Sequence, residues 1–228
     1  MLFRSNIVGD CAASLGALLP DKLGPLWENG ALGAAQDALK AAFAPSDTWG
    51  PGQAMAICRA MLPKDTLATA DSGAHRILLS QMWQCEFPRA IMQSSALCTM
   101  GCAVPLAMGA QIVEPDRTVV SFSGDAGFLM VAGEMATAAE QNLKTIFVVF
   151  VDASLALIEL KQRGRQMKNR GVDFGRVDFA AIAGAVGGQG LSAKSKPELE
   201  DALTSAMSSD TFSIVAVEID RKAYDGTF

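Results

Sequence analysis

The sequence predicts an α/β protein, a doubly wound, about six-stranded parallel sheet with helices on both faces. Three observations point there. Short apolar runs alternate repeatedly with longer segments of helical periodicity. Two of the runs, 145–151 and 212–218, are rich in Val, Ile and Phe without polar alternation, as strands covered on both faces should be. Small residues and an acid follow directly on two strand-like runs, where open α/β sheets bind their ligands.

The elements follow in order. Met1-Leu2-Phe3-Arg4-Ser5 has no pattern that joins it to the rest and is expected to be a non-native start, since Leu-Phe-Arg-Ser is also what the end of a sequencing adapter would encode. Residues 6–45 combine a strand end at Ile7 and Val8, Gly9-Asp10, an apolar helix holding Leu15, Leu18 and Leu19, and an Ala-rich helix over 32–43. With no sheet of their own to cover, they read as the tail of a truncated middle domain plus a linker helix. The Pro- and Gly-containing stretch 45–52 is a linker signal, and 46–228 is the main domain. Within it, periodicity predicts strands over 66–70, 90–93, 118–122, 145–151, 189–192 and 212–218. Helices are predicted over 53–62, 77–84, 100–112, 130–141, 157–167, 179–186 and 197–207.

Composition excludes several classes of function. Nineteen basic against 24 acidic residues leave a net charge of -5 and no basic stripe, so a nucleic-acid partner is not expected. Five cysteines without a CxxC pair, beside a single histidine, His75, support neither a zinc site nor a disulfide framework. They read as buried, reduced thiols of a cytoplasmic protein. The uncharged run 90–113 is broken by Gln93, Ser94, Ser95, Gly101, Pro105 and Gly109 and reads as buried core, not as a membrane span. No secretory signal is visible, and no membrane partner is expected.

The chemistry belongs after the strands. Ser123-Gly124-Asp125-Ala126-Gly127-Phe128 follows one, and Asp152-Ala153-Ser154-Leu155 follows the next, which puts carboxylates at two consecutive strand tips. Either aspartate alone would be an ordinary helix N-cap. Together they can share one hard cation, while the Gly and Ala around Asp125 let backbone amides at a helix start approach an anion. Such a set suits a Mg²⁺-diphosphate.

At these residues the chain resembles the C-terminal thiamine-diphosphate-binding (pyrophosphate) domain of the acetolactate synthase and thiamine-diphosphate-dependent decarboxylase/carboligase family. GDAGF...VDAS is similar to the family's metal motif, the segment 97–110 around Thr99-Met100-Gly101 to its TMG segment, and Asp71-Ser72-Gly73-Ala74-His75 to its DxGxH turn. The resemblance runs from Asn6 onward and is strongest over 71–162. It implies the thiamine-diphosphate-binding fold, with thiamine diphosphate and Mg²⁺ as cofactors. Asp125 and Asp152 would hold the metal by their side chains and Ser154 by its carbonyl. Gly124 is the small residue opening the metal motif, and amides of Ala126, Gly127, Leu155 and Ala156 would meet the diphosphate. The turn Ser72, Gly73, Ala74 and His75 would also meet it, His75 as a side-chain donor. Backbone groups of Cys98 and Met100 would hold the pyrimidine, and the Met100 side chain would wedge the cofactor into a bent shape. The plain alternatives are a turn histidine for His75 and core filler for Met100.

Departures from the family pattern are Cys98 where Gly is usual, Ser95-Ala96 near its paired glycines, Asp152 for the commoner Asn, and Ala156 for a common Gly. The resemblance further implies 2-oxo acid substrates, pyruvate by default, with decarboxylation and carboligation. The activating glutamate would come from a missing N-terminal domain, so no catalytic acid or base is expected here. Glu134 and Glu140 read as solvated carboxylates, and Arg163, Arg165 and Arg170 as a solvated helix face, with attraction of an anionic substrate as the alternative. A homodimer or homotetramer is the expected assembly, and the fragment is expected to be inactive alone. Two readings compete: a separate cofactor subunit of a two-chain, sulfopyruvate-decarboxylase-like enzyme, and a non-catalytic cofactor-binding module.

Overall fold

The structure is a computed structural model that describes residues 8–19, 28–45 and 47–227. The chain divides into two compact units, Met1–Ala42 and Phe43–Phe228. In the first, α1 (Cys11–Leu18) is capped by Asp10, whose carboxylate accepts from the Ala13 amide at 2.8 Å, and α2 is Ala31–Ala42. Ile7 lies outside the described residues, and Val8 belongs to no strand.

The second unit holds a six-stranded, all-parallel sheet: β1 (Leu67–Ala70), β2 (Ile91–Gln93), β3 (Val119–Gly124), β4 (Ile146–Val151), β5 (Gln189–Ala193) and β6 (Ser213–Glu218), in the order β2-β1-β3-β4-β6-β5. The expected fold class is the observed one. All six residues of β4 are buried, which is why its sequence reads as a continuous apolar run. Successive side chains feed opposite cores. Phe122, Val148, Phe150 and Val215 pack in one layer with α3 (Pro51–Met61), α4 (Ala74–Met82) and α10 (Lys196–Met207). Val119, Phe147, Val149 and Ile214 pack in the other with α5 (Ala103–Val113), α7 (Glu134–Glu140) and α9 (Phe179–Ala185).

Four local expectations change. The helix expected over 130–141 is two, α6 (Asp125–Leu129) and α7, joined by tight turns in which Met130, Val131 and Glu134 donate to carbonyls three residues back. The linker signal ends at Gly50, because Pro51 opens α3 at a position where its missing amide costs nothing. The run 90–113 is not uniformly core: Leu97, Ile112 and Val113 are exposed, so α5 is apolar on its outer face too. Only Cys58 among the cysteines is buried, Cys11, Cys85 and Cys98 being exposed and Cys102 half-buried. No helix among the described residues is long and apolar enough to cross a membrane.

Candidate functional site

The parallel pairing of β3 with β4 sets Gly124 opposite Phe150, so the residues that leave the two strands, Asp125 and Asp152, emerge side by side. Asp125 is buried and binds both tips together. Its Oδ1 accepts from the Ala126 amide at 2.8 Å, and its Oδ2 accepts from the amides of Asp152 at 3.1 Å and Ala153 at 2.8 Å. Asp152 Oδ1 accepts from the Ser154 amide at 2.9 Å. Ala153 is held at φ 56, a left-handed conformation costing about 1–2 kcal/mol for a residue with a Cβ. The Asp125 bond to its amide compensates for that strain.

Two buried carboxylates side by side resist ionising together. Burial, followed by the charge of Asp125, pushes the Asp152 carboxyl up to about 7. Burial raises Asp125 as well, opposed by the amides of Ala153, Ala126 and Asp152. A divalent cation would relieve this conflict. Among the described residues no group of three or more His, Cys, Asp or Glu side chains could hold a metal, so a cation here must take backbone or ligand oxygens beside the two aspartates.

These residues line one wall of a cleft of about 450 Å³ that also takes in Ser72, Gly73, Ala74, His75, Cys98 and Met100, and with them Leu155 and Ala156. The structure therefore brings all the residues expected to meet the cofactor or metal to one cavity, and leaves Arg163, Arg165, Arg170, Glu134 and Glu140 outside its lining. It shows two of the proposed amides already engaged: Ala126 donates to Asp125, and Leu155 donates to the Val172 carbonyl at 2.9 Å. The amides of Gly127 and Ala156, in the first turns of α6 and of α8 (Ala156–Gly164), have no carbonyl one turn back within their helices. The carbonyl of Cys98 accepts from the Ser72 hydroxyl at 2.6 Å.

His75 is buried at 3% exposure, stacked on Phe150 with ring centroids 5.9 Å apart, and its Nε2 has no hydrogen-bond partner. Burial drives its imidazole down to about 4, backbone carbonyls of Asp71 and Phe122 opposing that shift. The folded pKa lies below the unfolded one near 6.5, so the contribution of His75 to stability is complete above that pH and is lost as the pH falls towards 4. The loss is expected to be on the order of 3 kcal/mol. Urea midpoints measured from pH 7 to 4 should therefore drop less in His75→Gln than in the parent; parallel curves would contradict the burial of the ring.

Cys98 adopts φ 50, the left-handed region that suits Gly, although its side chain penalises it. Cys98→Gly is expected to stabilise the fold by about 1 kcal/mol, seen as a rise in melting temperature, with a drop counting against backbone strain at this turn.

Some roles in and around the cleft gave no signal in the sequence, among them the anchoring made by Asp71, the first residue of the DxGxH turn. Asp71 is fully buried, and its carboxylate accepts from the amides of Gly101 at 2.8 Å and Cys102 at 3.1 Å, fastening the 98–102 turn to the tip of β1. Tyr224, from the segment after β6, and Lys161, on α8, also line the cleft. Burial, then the charges of Asp152 and Asp125, pushes the Tyr224 phenol well above its usual value. Nothing in local periodicity could place Tyr224 there, since only the pairing of β4 with β6 brings its segment close. Arg163 is no free anion attractor, because it is paired with Glu159 and Asp225. Glu134 and Glu140 are exposed, as expected.

Comparison with known proteins identifies the family. Residues 71–217 match the family described as thiamine pyrophosphate enzyme, C-terminal TPP binding domain. The chain is similar to the catabolic acetolactate synthase of Raoultella terrigena, 35% identical over 72% of this chain and 30% of that protein. It is also similar to acetolactate synthase of Bacillus subtilis, 34% identical over 67% of this chain and 27% of that protein. Acetolactate synthase isozyme 2 large subunit of Escherichia coli is 31% identical over 69% and 29%. The chain thus spans less than a third of the length of these relatives.

Proposed function

Starting from the fact that this chain belongs to the thiamine pyrophosphate enzyme family, as the C-terminal cofactor-binding domain of acetolactate-synthase-like enzymes, we propose that it holds thiamine diphosphate through Mg²⁺ and serves decarboxylation and carboligation of 2-oxo acids, pyruvate by default. The observation that carries the metal is the pair Asp125 and Asp152, two buried carboxylates at adjacent strand tips whose mutual repulsion a cation would relieve.

The chain's own groups fit such a ligand. Asp125 and Asp152 side chains and the Ser154 carbonyl would take half of an octahedral shell, leaving positions for diphosphate oxygens and water. The amides of Gly127 and Ala156 would meet the diphosphate, those of Ala126 and Leu155 only after giving up their present bonds. The unpartnered Nε2 of His75 would gain an acceptor. Ser72, Gly73 and Ala74 would form the rest of that wall, and Gly124, without a side chain, would leave room beside the His75 ring. Met100, half-buried in the cleft, would press against the middle of the cofactor, while backbone groups of Cys98 and Met100 would hold its ring. Bound there, thiamine diphosphate supplies the nucleophile and the electron sink for 2-oxo acid chemistry. The two aspartates hold charge and proton-donor groups in place; neither is a proton shuttle.

The reading includes 6–45 as the end of a middle domain and a linker, and an activating glutamate on an N-terminal domain of the same family, within a homodimer or homotetramer in the cytoplasm. The 228-residue chain alone is then expected to show no turnover of pyruvate at saturating cofactor and Mg²⁺. Adding a separately made N-terminal portion should restore it. A steady-state assay with pyruvate and a screen of other 2-oxo acids tests both parts. Full activity of the chain by itself would overturn the requirement for that portion, and no activity in any combination would overturn the catalytic reading.

A further inference from the structure

The loop that leaves β4 is tied down by a residue that the family motif does not include. Glu159 lies on α8, five positions beyond Ser154, and is only 3% exposed. A buried carboxylate needs several donors, and Glu159 has them. Its Oε2 accepts from the Ser154 hydroxyl and from Arg221 Nε at 2.7 Å, and its Oε1 accepts from Arg163. The same two arginines reach onward, Arg221 to Asp173 and Arg163 to Asp225. Asp173 in turn pairs with Ser154 in an isolated antiparallel bridge. One carboxylate therefore joins the ligand loop, α8, the 172–174 segment and the segment after β6.

We propose that Glu159 is a positioning residue for the metal loop: clamped by Arg221 and Arg163, it fixes the Ser154 hydroxyl and thereby the peptide whose carbonyl serves the cation. The inference rests on the reading of Ser154 as a carbonyl ligand. A carbonyl ligand must hold its place to a few tenths of an ångström, and this loop contains the strained Ala153, so it needs restraint on the side away from Asp125. The Ser154–Glu159 bond supplies it. Arg221 keeps the buried carboxylate ionised and pointed at the serine; without that cation the cost of burying its charge would turn it outwards.

The test is a double-mutant cycle on the 228-residue chain with Ser154→Ala, which cuts the tether but keeps the carbonyl, and Glu159→Gln. Mg²⁺ is titrated at saturating thiamine diphosphate, and exchange of the 153–155 amides is measured in the unloaded chain. Each single change is expected to weaken Mg²⁺ binding about 10-fold and to speed exchange in that loop. The double variant should also show about 10-fold, not 100-fold. Ser154→Thr, which keeps the hydroxyl, should restore both readouts, as a merely structural role would not require. Parent-like Mg²⁺ affinity in Ser154→Ala, or additive losses, would overturn the positioning role. If Asp125→Ala also binds Mg²⁺ like the parent, the metal site itself is misplaced, which separates the two failures. Should Mg²⁺ binding be too weak to titrate, unchanged loop exchange in both single variants would suffice to overturn the role.

Discussion

Asp125→Ala is expected to weaken Mg²⁺-dependent thiamine diphosphate binding by at least about 100-fold, a loss of roughly 3 kcal/mol or more. Two effects add. The cation loses the more deeply buried of its two carboxylates, and the loop loses what organises it, because Asp125 accepts from the amides of Ala126, Asp152 and Ala153. Charge-assisted bonds to buried amides are each worth about 1.5–3 kcal/mol, and without them Ala153 has no reason to stay at φ 56. Asp152→Asn, by contrast, should be tolerated. Its amide oxygen can still ligate and accept from Ser154, and the change removes a carboxylate that burial, and then the charge of Asp125, push up to about 7. Calorimetric titration of both variants decides: unchanged affinity in Asp125→Ala removes the metal assignment.

The second large effect is expected at Gly127. A Cβ there would fall 2.1 Å from Asp71 Oδ2, well inside any contact distance, and that oxygen is the one holding the Gly101 amide. Gly127→Ala must either displace α6 or expel the Asp71 carboxylate from its two amide donors, leaving a fully buried charge short of partners. A destabilisation of about 3 kcal/mol is expected, together with loosening of the 98–102 turn. Gly124→Ala is the control, since its Cβ would meet only the His75 ring at 3.5 Å, an ordinary contact. Urea unfolding of the two variants should separate them clearly. Equal stability would mean that Asp71 does not fasten this turn.

Reading the site from sequence worked where the signal is local and failed where it is not. GDAGF and VDAS each announce a strand end followed by an acid, and the apolar runs of β3 and β4 on either side leave little doubt about where each strand stops. The central strands β1, β3, β4 and β6 were legible for the same reason, since near-complete burial leaves a largely apolar word. Arg163 looks free on its helix face because only one of its partners is local: Glu159 lies four residues earlier on α8, while Asp225 is 62 residues away. The 130–141 helix was misjudged because Gly133 and the early start at Asp125 change the turn type without disturbing apolar periodicity.

By itself the sequence determined the α/β class, the succession of strands, and the chemical type of the residues at their tips. Those properties depend on side-chain hydrophobicity with a period of two or 3.6 and on residues adjacent in the chain. Tertiary structure alone decided the strand order β2-β1-β3-β4-β6-β5, which sets Asp125 beside Asp152, and the pairing of Arg221 with Glu159. It also decided that Asp71 would anchor the 98–102 turn and that Tyr224 would wall the cleft. Each of these is a contact between groups far apart in sequence, made only when burial brings strands into register and favours pairing of buried polar groups.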